Sequence, residues 1–132
     1  MPRANSSGRF IDFAAVATAA AIAVISVADA EDTQGAAMKE AQEIFSTRCS
    51  VCHGASGKGD GPGSAALNPK PRNFTDAAWQ KSVSDEYIEK IIQFGGMAVG
   101  KSATMPGNPD LTAKPDVVKG LRATVRGLAQ KN

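Results

Sequence analysis

Aromatic residues make up only 5% of this 132-residue chain, and beyond residue 30 they reduce to Phe45, Phe74, Trp79, Tyr87 and Phe94. A domain of about 100 residues is already short of buried surface. Helices this rich in alanine therefore leave the core underfilled unless a large apolar group sits at its centre. Strand patterning is missing as well, and so are internal repeats and low-complexity tracts, which leaves an all-α domain. Histidine occurs once, and no pair of carboxylates accompanies it, so acid–base catalysis has no obvious machinery. Basic residues are dispersed and the net charge is only +2, which excludes the clustered basic face of a nucleic-acid binder. The two cysteines, Cys49 and Cys52, are too close together to staple a domain with a disulfide, so their use must be chemical.

Long hydrophobic runs are confined to the N-terminus. Arg3 and Arg9 precede a mostly apolar stretch from Phe13 to Ala28, and Ala28-Asp29-Ala30 has the small-x-small form that signal peptidases accept. Residues 1–30 are therefore expected to be a cleavable export signal and residues 31–132 a single domain. The segment carries two charges of each sign, so the net charge of +2 survives its removal. A retained membrane anchor is the alternative. The stretch is shorter than the roughly 20 apolar residues that span a bilayer core.

The spacing of Ala37, Ala41, Ile44, Phe45 and Arg48 predicts a helix over 35–48, capped by Asp32 or Thr33. Residues 54–71 read as a long loop of the kind that wraps something. Thr75 is expected to cap a short helix through Trp79. Ser84 is expected to cap another, with Tyr87, Ile88, Ile91, Ile92 and Phe94 facing the core and Gly95-Gly96 ending it. An irregular stretch over 97–111 precedes a last helix starting near Thr112, with Val118, Leu121, Val125 and Leu128 on its buried face.

The chemistry lies in Cys49-Ser50-Val51-Cys52-His53. Cys-x-x-Cys-His is the spacing at which two thiols add to the vinyl groups of one haem while the adjacent imidazole meets the iron. A thioredoxin-type dithiol would instead need strands and a cysteine at a helix N-terminus. Zinc would need a fourth ligand that the sequence does not offer. For the second axial position Met38, Met97 and Met105 are available. Met38 falls within the first helix as core filler. Met105, held extended by Pro106, is favoured over Met97, which directly follows the helix-ending glycines.

Together with Gly57-Lys58-Gly59-Asp60-Gly61-Pro62, Pro69-Lys70-Pro71-Arg72-Asn73-Phe74 and Gly95 to Lys101 leading to Met105-Pro106, this motif resembles the class I c-type cytochromes, specifically their small bacterial single-haem branch. The resemblance runs from about Ala36 to Leu128. It implies N- and C-terminal helices crossing beside one covalent haem c, and one-electron transfer rather than enzymatic turnover. By position it implies that Pro69 or Pro71 offers a carbonyl to His53 Nδ1–H, and that Arg72 and Trp79 face the haem propionates. Two departures concern the helix crossing: Ala41 and Thr124 stand where similar proteins often have glycine and an aromatic, and Gly120 is the residue able to restore a close approach. Lys58, Lys70 and Lys101 form an expected docking patch for a redox protein partner of a monomeric periplasmic carrier in a respiratory chain. A haem subunit of a larger oxidoreductase and a small open-site haem enzyme are the alternatives.

Overall fold

The computed structural model describes residues 27–130. Residues 1–26, which hold most of the expected export signal, lie outside the described residues. Five α-helices occur among the described residues: α1 (Val27–Ile44), α2 (Ser50–His53), α3 (Ala77–Ser82), α4 (Asp85–Phe94) and α5 (Pro115–Gly127). Short 3-10 turns cover Pro62–Ser64, Gly96–Val99, Pro109–Leu111 and Leu128–Gln130. No strand is present in this range. None of the helices among the described residues is long and apolar enough to cross a membrane.

Several boundaries differ from expectation. α1 is already helical at Val27, the first described residue, so Asp32 and Thr33 lie inside the helix rather than capping it. The α3 cap is Asp76, whose carboxylate accepts from the Ala78 and Trp79 amides. Thr75 instead gives both its amide and its hydroxyl to Asn73 Oδ1, an Asx turn that leaves it no part in the helix. α5 starts at Pro115 rather than near Thr112, because Thr112 closes the preceding 3-10 turn by donating to the Pro109 carbonyl. Ser84 does cap α4, accepting from the Tyr87 amide, and Gly95 ends it at φ +79°.

The core is a single cluster of Ala41, Ile44, Phe45, Phe74, Ile88, Ile92, Leu111, Val117, Val118, Leu121, Val125 and Leu128. Phe94, expected in that cluster, is 54% exposed. The inward row of α4 steps from Ile88 to Ile92 and then to Gly95, leaving position 94 off the face.

α1 packs chiefly on α5. The contact is closest where Ala41 meets Gly120: a Cβ on Gly120 would stand 2.8 Å from the Ala41 Cβ. Gly120 thus supplies the close approach that Ala41 by itself could not. Gly120→Ala should destabilise the folded protein, because overpacking costs about 1–3 kcal/mol whereas alanine gains only about 0.5–1 kcal/mol over glycine within a helix. Denaturant unfolding of the single variant and of Ala41→Gly/Gly120→Ala checks this, with most of the loss recovered in the double variant.

α4 is tied to α5 by Arg122 and Arg126, both of which pair with Asp85 at 2.5–2.9 Å. The Arg126 hydrogen bond, followed by the charge of Arg122, holds the Asp85 carboxyl below the usual carboxylate range. A carboxyl depressed in the folded state stabilises at pH values above its unfolded value of about 4. That stability is lost as the pH falls through the lower folded value. Asp85→Asn should therefore be less stable than the parent at pH 7, and the difference should shrink below about pH 4. Urea midpoints measured across that range check the sign.

Candidate functional site

Helical backbone does not stop at Arg48, as the sequence suggested, but runs on through the cysteine motif. Between α1 and α2 lies one wide π-type turn, Phe45–Cys49, closed by the Ser50 amide donating to the Phe45 carbonyl. Turns of this kind re-phase a helix by one residue and recur at functional sites. From Cys49 onward, positions 49, 52 and 53 are separated by three and four residues and share one helix face. All three side chains line the same cavity. The spacing thus turns two thiols and an imidazole in one direction.

The glycine-rich loop finishes this short helix. Amides of Gly54, Gly61 and Gly59 donate to the Ser50, Cys52 and His53 carbonyls at 2.8, 3.1 and 2.8 Å, satisfying groups that a helix end leaves without partners. Gly61 can come this close only because it has no side chain: a Cβ there would collide with the Ser50 and Val51 carbonyl oxygens.

His53 is 8% exposed. Its Nδ1 lies 2.9 Å from the Arg72 carbonyl, and its ring stacks on Phe74 with centroids 4.2 Å apart and planes 15° apart. The carbonyl partner is therefore Arg72, not Pro69 or Pro71. The Pro71 carbonyl is turned instead against Gly59, where a Cβ would strike it. Pro69 and Pro71 still line the cavity. Burial pushes the His53 pKa down against the opposing effect of the Arg72 carbonyl. The neutral ring donates from Nδ1–H, which leaves Nε2 with a lone pair for a metal.

Burial also pushes the Cys49 thiol up to about 11, outweighing the pull of Arg48. A redox-active dithiol needs the opposite shift. Among the described residues no group of three or more His, Cys, Asp or Glu side chains is arranged to hold a metal ion.

Met105 reaches the same cavity from the loop after α4. That loop is moored to the end of α4: the Gly96 amide donates to the Met105 carbonyl at 3.0 Å, and the Asn108 amide to the Gln93 carbonyl at 2.8 Å. Asn108 Nδ2 adds a bond to the Ile92 carbonyl at 2.8 Å. Met97 is 70% exposed and lies outside the cavity lining. Met38 borders a separate depression beside Phe45 and Thr124.

Arg72 and Trp79 both line the cavity. The guanidinium sits 5.3 Å from the Trp79 ring centroid and pairs with Asp76. Lys70 and Lys101 are at the rim of the cavity, whereas Lys58 is not part of it. Lys70 is folded back, donating to the Ser64 and Ala65 carbonyls at 2.9 and 2.8 Å.

Sequence reasoning missed two contributors. Arg48, read as part of the apolar stripe, pairs with Asp110 at 2.8 Å and reaches Asn108. Asn108 itself was hidden within an irregular stretch. The Asn108-Pro109 step, a turn signal, could have pointed to it.

The cavity measures about 400 Å³, within the roughly 300–1,000 Å³ of small-molecule and cofactor sites. Ile88, Ile91, Ile92, Trp79 and Phe74 give it a largely apolar wall. A family model described as cytochrome c matches residues 38–119. The chain belongs to the cytochrome c family. No individual curated protein and no solved structure matches it. Cytochromes c bind haem c covalently, and in this cytochrome Cys49 and Cys52 form the attachment pair with His53 beside them. The residues present fit that group: thiols on one helix face, a neutral imidazole with its far nitrogen unengaged, and an apolar cleft of cofactor size.

Proposed function

We propose that this cytochrome is an exported, single-haem electron carrier of the small bacterial kind, with His53 and Met105 as axial ligands, serving a respiratory chain as a monomer. Family membership supports electron transfer in general. The observation that carries the finer reading is that Met105, alone among the three methionines of the domain, lines the cavity that His53 lines. A thioether opposite an imidazole raises the reduction potential of the iron and suits a carrier. Bound haem supplies an iron that alternates between two oxidation states.

The chain's own residues do the rest. Arg72 orients the imidazole through its carbonyl, the isoleucines of α4 keep water from one wall, and Lys101 and Lys58 present exposed positive charge to an acidic partner. With His53 and Met105 as the two ligands, a small substrate would have no access to the iron, as a carrier rather than an enzyme requires.

An optical spectrum with redox titration, taken on protein expressed with its own N-terminal segment, tests the reading. The expected result is a six-coordinate spectrum with a sulfur-to-iron charge-transfer band, no reaction of the untreated reduced protein with carbon monoxide, and a mature chain beginning at Glu31. Ready carbon monoxide binding would overturn the carrier assignment in favour of an open-site enzyme.

A further inference from the structure

A buried amide in the middle of α3 has no role in the carrier function described above. Gln80 lies within the protein with every polar atom engaged. Its Nε2 donates to the Phe74 carbonyl at 2.8 Å and to the Val125 carbonyl at 2.9 Å. Its Oε1 accepts from Arg126 Nη1 at 2.9 Å, and the same nitrogen donates to the Gln80 carbonyl at 2.6 Å. Arg126 is in turn fixed by Asp85 and by the Val83 carbonyl. A buried network satisfied to this degree holds one geometry, because any displacement strands polar groups away from water.

The two bonds that Gln80 donates are not equivalent. The Val125 carbonyl already accepts from the Leu128 amide. Among the described residues no other partner is seen for the Phe74 carbonyl, while the Phe74 amide donates to the Gly57 carbonyl at 2.7 Å. Both backbone polar groups of Phe74 are thus clamped, one by the glycine loop and one by Gln80. Phe74 then carries the ring stacked on the face of His53. Two residues earlier in the same segment, the Arg72 carbonyl holds the edge of that imidazole at Nδ1. Face and edge of the ring are both set by residues 72–74.

We infer that Gln80 is a positioning residue for the His53 imidazole, fixing the plane of the ring by locking Phe74 and linking it through Arg126 to the α4–α5 ion pairs. The inference rests on the reading of His53 as an axial ligand. Its physical content is that ligand-plane orientation governs how unpaired electron density is distributed over a ferric haem. A change at Gln80, which lies outside the cavity lining, should therefore be read at the haem.

The test uses holo-protein and three variants. Gln80→Glu keeps an acceptor for Arg126 but cannot donate to Phe74 or Val125 when ionised, and Gln80→Met removes all three side-chain bonds while roughly keeping the shape. Arg122→Gln loosens the same helix pair without touching Phe74 and serves as the structural control. In ferric holo-protein, both Gln80 variants should shift the haem-methyl proton resonances and the electron paramagnetic resonance g-values, with the iron still six-coordinate. Arg122→Gln should lower stability and leave both spectra as in the parent.

Parent-like spectra in either Gln80 variant, or equal shifts in the Arg122 control, would overturn the inference. If neither Gln80 variant folds, the parent protein decides: the Gln80 side-chain amide protons must be protected from solvent exchange, and free exchange defeats the proposal. Failure of the underlying reading looks different, since the parent itself would then lack the spectrum of histidine ligation.

Discussion

Replacing Met105 with alanine is expected to abolish the sulfur-to-iron charge-transfer band and to lower the midpoint potential by on the order of a few hundred millivolts, a large part of the roughly 0.8 V over which axial ligation sets haem potentials. The sulfur is the only soft donor that the loop after α4 brings to the cavity. Its removal leaves water or a weaker donor in its place, and the ferric state gains relative to the ferrous. Carbon monoxide and cyanide should then bind without prior denaturation. Met97→Ala is the matched control, because Met97 is 70% exposed and outside the lining. It should change neither the band nor the potential. A retained band in Met105→Ala, or its loss in Met97→Ala, would move the sixth ligand to the other methionine.

The second large effect concerns folding. Cys49→Ala/Cys52→Ala, produced without added haem, should fail to show a cooperative unfolding transition. Without its cofactor the chain has about 400 Å³ of largely apolar space at the centre. The cleft opens to solvent, so without the cofactor its apolar wall faces water and forgoes burial worth about 25 cal/mol per Å², against a whole-domain stability of only about 5–15 kcal/mol. Far- and near-ultraviolet circular dichroism with a hydrophobic dye would report it: residual helix, lost aromatic signal and strong dye binding. A double variant that melts cooperatively near the holo-protein's midpoint would show that the core is adequate alone.

Some of this was open to reading in the sequence, and the pattern of success has a physical basis. Ser84, the α4 stripe of Ile88 and Ile92, and the buried row Val118, Leu121, Val125 and Leu128 depend on neighbours a few residues away, so local rules find them. The shortage of aromatics suggested a bound apolar group, and the spacing of Cys49, Cys52 and His53 named the haem c that membership of the family supports. Features that depend on distant chain were not legible. Helix continues to His53 because Gly59 and Gly61 fold back onto its last carbonyls, although Ser50, Val51 and Cys52 are mediocre helix formers. Which carbonyl meets His53 depends on how Pro71 packs against Gly59, a contact twelve residues apart that no spacing rule encodes. Gln80 and Asn108 look like surface amides until the elements they join are in place.

The ion pair between Arg48 and Asp110 spans 62 positions of sequence, while the attachment motif beside it occupies five. These two lengths separate what is local in the site from what is not. Attachment at Cys49 and Cys52 needs only a short local segment, available as soon as it is made. Seating of Met105 needs the last third of the chain to close over the cavity, and loop closure on that scale carries an entropic cost that only a packed interior offsets. On the proposed ligation, haem attachment would draw on a short local segment alone, whereas placing Met105 opposite His53 would depend on contacts made by chain far from the motif.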